Sequence, residues 1–161
     1  MPIRSACANP ETIQDAIVAA EDRFWDGLEL MILGRLWGGV YLMGYSSEMY
    51  LKTASCMLEG ATTPSDILCA FFAPSRNWTS THPESYHSIR YWTEVLCTKR
   101  PRFRSPFNRD FENALRTHSS VIYNSWCAGM RYRRAVVSLN EATAVHESST
   151  WLMNNFNRLW S

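Results

Sequence analysis

A chain of 161 residues that is 46% apolar, 13% aromatic and only 19% charged can bury one core and is not disordered. It contains no run of 18 uncharged apolar residues. The closest, Leu36–Tyr45, is too short to cross a bilayer, so no membrane association is expected. The formal net charge of +1 hides an uneven distribution: residues 1–34 hold six acids and two bases, and residues 76–134 hold eleven bases and four acids. A basic half attracts phosphate-bearing partners or joins to the acidic half of the same domain, and so many aromatics beside so little charge fit either an apolar surface covered by a partner or a large, aromatic-rich core.

The first predicted helix opens at Asn9, with Pro10 at its first position and Glu11 near the positive end of its dipole. Ile13, Ala16, Ile17, Ala20, Phe24, Leu28 and Met31 follow one helical face, and Gly34 ends it. The second covers Leu36–Leu58, with Leu36, Val40, Ser47, Leu51, Ala54 and Leu58 as its stripe and Glu48–Lys52 as an i,i+4 pair. Gly38, Gly39 and Gly44 each weaken a helix, so close approach of a neighbouring backbone or ring is the expected reason for them. A short helix is predicted over Thr63–Phe72, followed by loop around Ser75–Thr81.

A third main helix is predicted over Pro83–Leu96, with Thr81 and Glu84 at capping-box spacing and Tyr86, Ile89, Trp92 and Leu96 inward. Lys99–Ser105 reads as a basic loop containing a proline. Ser105-Pro106 opens a fourth helix with Phe111, Leu115, Ile122 and Trp126 inward, and Ser138–Glu141 is a capping box opening a last helix with Val145, Leu152, Phe156 and Leu159 inward. No alternating strand pattern occurs. The expected fold is all-α: an up-down bundle of four to six helices forming one domain over about residues 10–160.

Cys7, Cys56, Cys69, Cys97 and Cys127 are odd in number and contain no C-x-x-C pair. With no apolar leader before Pro10, they are read as reduced thiols in a cytoplasmic protein. His82, His87, His118 and His146 make no metal-ligand spacing, so neither metal nor cofactor is expected. Two basic clusters are candidate binding residues. Lys99, Arg100, Arg102 and Arg104, with Arg109, interleave with Phe103 and Phe107, and Arg131, Arg133 and Arg134 flank Tyr132. Such cations meet phosphates and such rings stack on bases. A solvated connector and a helix-end charge are the plainer readings of the two clusters.

The order G-x-x-x-x-x-G-Y-x-x-E-x-x-L-K in Gly38–Lys52 resembles the second helix of HEPN domains (higher eukaryotes and prokaryotes nucleotide-binding) through Gly44, Tyr45, Glu48, Leu51 and Lys52. His87-Ser88-Ile89 is similar to the family's H-x-[LI] step. Trp126, Met130-Arg131-Tyr132, Glu141-Ala142 and Trp151 resemble its ending. The resemblance implies a four- or five-helix bundle, often a homodimer. Many members are metal-independent ribonucleases using R-x(4–6)-H, in which Arg stabilises phosphate charge and His moves a proton. The match here is Arg76 to His82, in a proline-bounded loop, whereas the family's motif usually sits nearer a later helix start. The expectation is therefore a noncatalytic helical module binding nucleotide, RNA or a partner protein as a homodimer. A toxin-like endoribonuclease using Arg76 and His82 is the alternative, and a helical scaffold protein is the second alternative.

Overall fold

The computed structural model describes residues 12–64, 87–132 and 136–161. Outside them lie Arg76, His82, Arg133 and Arg134, the predicted cap at Asn9–Glu11, most of the short helix expected over Thr63–Phe72, and the Thr81/Glu84 cap. The described residues are helical, without a β-strand: α1 (Ile13–Ile32), α2 (Leu36–Leu58), α3 (Ile89–Phe103), α4 (Arg109–Ser125), a 3₁₀ turn (Ala128–Tyr132), α5 (Leu139–Asn154) and α6 (Phe156–Trp160). The expected all-α bundle is what forms.

Helix α1 is capped by Thr12. Its side chain accepts the Asp15 N–H at 3.2 Å, and the Asp15 carboxylate accepts the Thr12 N–H at 3.0 Å. Two orphan donors are thus satisfied reciprocally. Ile13, Ala16, Ala20, Phe24 and Gly27 form its buried face. Gly34, at φ 73°, turns the chain left-handed; its N–H donates to Met31 and that of Arg35 to Leu30, a Schellman ending that only glycine enters without a Cβ penalty.

The turn sends α2 back antiparallel against α1, and glycines set the distance. A Cβ on Gly27 would lie 2.9 Å from Met43 Cγ and 3.0 Å from the Gly39 carbonyl oxygen; one on Gly39 would lie 2.8 Å from the Gly27 carbonyl oxygen. Helix α2 keeps its expected bounds, but it is buried almost all round from Gly39 to Leu58 rather than along one stripe. The reason is its position: α1, α3, α5 and α6 all pack against it, while α3 packs on α4 and α4 on α5.

Pairings across the interfaces fix the directions. Thr93 meets Ser119 at 2.7 Å while Glu94 pairs with Arg116, and His118 meets Ser148 at 3.2 Å while Phe111 meets Trp151, so α4 runs antiparallel to α3 and α5. Glu48 reaches His87, Lys52 lies over Trp92, and Glu59 pairs with Lys99, so α2 and α3 advance together. The up-down alternation therefore holds for α1/α2, α3/α4 and α4/α5, while α2 and α3 are parallel neighbours.

Several predicted boundaries move. Helix α3 starts after Ser88, whose hydroxyl accepts the Tyr91 N–H at 3.2 Å, and it continues through Pro101 to Phe103. Lys99–Phe103 is thus helix, not loop. Helix α4 is capped by Asn108, which accepts the Phe111 N–H at 2.7 Å, not by Ser105. Trp126 is the extended residue after α4, which turns its indole onto α2. The Ser138–Glu141 capping box opens α5 as expected, although the final helix breaks at Asn155 into α5 and α6.

Candidate functional site

Two places carry chemistry. The first is a buried ionic centre between α2 and α3. Glu48 and Lys52 are one turn apart on α2, with side chains 2% and 7% exposed, and their charges pair directly. His87, just before the α3 cap, brings Nδ1 to 2.9 Å from the same Glu48 Oε1, while its side chain stays 46% exposed. The Lys52 ammonium lies 5.6 Å from the centroid of the buried Trp92 ring. Among the described residues, the other carboxylate oxygen, Glu48 Oε2, is buried without a hydrogen-bond partner.

Burial pushes the Lys52 pKa down, and the adjacent Glu48 carboxylate opposes that shift. One turn on, burial raises the Cys56 thiol to about 12. Desolvating an ion pair costs much of what its Coulomb attraction returns, so such a centre is a poor stabiliser and a candidate for function. Chemically, a carboxylate beside an imidazole nitrogen orients the ring and favours its protonated form. The i,i+4 spacing of Glu48 and Lys52 is visible in the sequence as an ordinary helix pair. His87 joins them across 39 residues, and no local pattern signals that.

The second place is the corner between α3 and α4, where the first basic cluster falls. The fold divides the cluster. Arg100 is buried, which corrects its expected role as a free binding cation. Its Nε donates to the Ser105 carbonyl at 2.8 Å, and its terminal nitrogens donate to the carbonyls of Arg158, Leu159 and Ser161 at 3.3, 3.1 and 2.6 Å. It also lies 4.2 Å from the centroid of the Phe107 ring. Lys99 is tied to Glu59. Arg102, Arg104 and Arg109 are exposed, and Phe103 between them is 43% exposed. In the second cluster, Arg131 is described through its backbone alone, in the 3₁₀ turn, and Tyr132 is exposed.

A cleft of about 300 Å³ also opens between α3 and α4, lined by Arg90, Thr93, Ser120, Tyr123 and Asn124. Arg116 on its wall is held by both Glu94 and Glu112, which neutralise it. Among the described residues no group of three or more His, Cys, Asp or Glu side chains could hold a metal ion, and no helix is long and apolar enough to cross a membrane. Comparisons of the chain with family models, curated proteins and solved structures give no match.

Proposed function

We propose that the chain is a noncatalytic, HEPN-like helical module that binds RNA, or the phosphates of a nucleotide, at the corner formed by Arg102, Phe103, Arg104 and Arg109. The observation that carries this reading is the exposed ring set among three exposed guanidinium groups at the junction of two packed helices. Phosphates meet the cations and an unstacked base meets Phe103, a pairing suited to single strands. Arg100 contributes indirectly, by holding the corner to α6. Titration with single-stranded RNA across a salt series tests the reading. Three phosphate contacts give a slope of log K against log salt of about −2, and replacing Arg102, Arg104 and Arg109 by alanine flattens it. Binding that is absent, or indifferent to salt, removes the nucleic-acid function. The homodimer implied by the family resemblance belongs to the same reading, and light scattering tests it.

The Glu48–His87 contact supports a second reading, a metal-independent endoribonuclease in which His87 moves the proton. Incubation with RNA in EDTA decides between the two. Cleavage that falls about 100-fold or more in His87→Ala assigns the chemistry to this histidine, whereas cleavage that depends on Arg76 and His82 instead assigns it to the R-x5-H pair. Intact RNA leaves the binding module.

A further inference from the structure

Helix α1 has two apolar faces, and α2 covers only one. Ile13, Ala16, Ala20, Phe24 and Gly27 are buried. On the outward side, Val18, Trp25 and Ile32 are 45%, 50% and 76% exposed. They are seven residues apart, so they form one row with a spacing of about 10.5 Å, drifting only about 20° per step. The Trp25 indole meets the buried Phe24 ring edge-on at 5.3 Å, which braces it from beneath. Exposed carboxylates surround the row: Glu21, Asp22, Asp26 and Glu29. Over its whole length α1 carries five acids and one base, Arg23, which sits 3.5 Å from Asp26.

We infer that this outward face of α1 is the docking surface for a cationic amphipathic helix of a partner protein. An apolar row at seven-residue spacing accepts the seam of a helix laid alongside it, and a braced Trp is the side chain type that most often anchors such contacts. The charges choose among occupants. A second copy of α1 would set carboxylates against carboxylates, and an anionic lipid surface would be repelled. A helix whose apolar seam is flanked by Lys and Arg meets complementary charge on both sides. This surface is separate from the α3/α4 corner and does not depend on the RNA-binding reading.

The test uses the whole chain and a synthetic helical peptide of about three heptads, with leucine at the seam and lysine flanking it. The control is a peptide of the same composition scrambled to destroy the seam. Calorimetry is expected to show the seam peptide binding at least about tenfold more tightly than the scrambled one. Trp25→Ala is expected to weaken it about tenfold or more. The pair Asp22→Lys with Glu29→Lys, both at exposed positions, is expected to abolish the preference while circular dichroism stays unchanged. Equal binding of the two peptides, or affinity untouched by both sets of substitutions, overturns the proposal. So does a dimer in light scattering that Trp25→Ala dissociates, because the occupant is then a second copy.

Discussion

A β-carbon on Gly44 would overlap the Trp126 ring, which is held there by its indole N–H donating to the Tyr41 carbonyl at 2.9 Å. A buried indole pinned by that hydrogen bond cannot yield as a flexible side-chain end can, so Gly44→Ala is expected to cost about 2–3 kcal/mol. Gly34→Ala, where nothing lies within 4 Å but φ is positive, is expected to cost about 1–2 kcal/mol. Urea unfolding measures both, and Gly44→Ala alone should shift the Trp126 fluorescence. The sequence marks Gly44 as a place of close approach but cannot name Trp126, because that contact joins residues far apart in the chain. The Glu48–Lys52 pair is similar: its spacing is legible, but its burial comes from neighbours on other helices. Burial also raises two thiols, Cys56 to about 12 and Cys97 to about 11, against an ordinary value of about 8.5. Above that ordinary value the unfolded chain releases protons that the folded chain keeps, so stability falls as pH rises. Each thiol contributes up to about 1.4 kcal/mol per pH unit until its folded pKa is reached. Lys52, lowered by burial, acts in the opposite direction. Cys56→Ala is therefore expected to flatten the alkaline loss between about pH 9 and 11, as read by urea midpoints at each pH.

Each helix is legible where its signal is local and misplaced where a distant group decides. Ser138 and Glu141 lie three apart and form the capping box they spell. Pro101 reads as a break, yet α3 continues past it, with the Arg104 N–H reaching the Arg100 carbonyl at 2.8 Å. The Arg100 fork holds that turn against the carbonyls of α6, whereas its place in a basic run suggests a binding cation. Arg100→Ala is expected to destabilise the fold by about 2–3 kcal/mol and to loosen α6 first. Arg100→Lys keeps the charge but loses the planar fork, so it should recover only part of that loss. Thermal melts and hydrogen exchange at Phe156–Trp160 measure the two effects. Little change in either variant would return Arg100 to the set of free cations.

At the scale of the molecule, helical periodicity and the lack of alternation were sufficient for the all-α class, since burying apolar stripes at 3.6 spacing leaves few other architectures. The direction in which α3 runs beside α2 was not legible, because stripes carry no polarity. The candidate site was legible only as ingredients. Glu48, Lys52 and His87 stand out by motif, and the basic cluster by charge. Which cations remain free after the fold has used Arg100 and Lys99 depends on tertiary contacts.

The parallel course of α2 and α3 has a kinetic consequence. The α1/α2 hairpin is closed by a turn of a few residues, so its contacts form after a short diffusive search. Seating α3 in the same direction pairs Glu48 with His87 across 39 residues of chain, a larger sequence separation with a higher closure entropy. The α1/α2 hairpin can therefore close first, and the ionic centre, which needs His87 beside Glu48, forms only once α3 has seated.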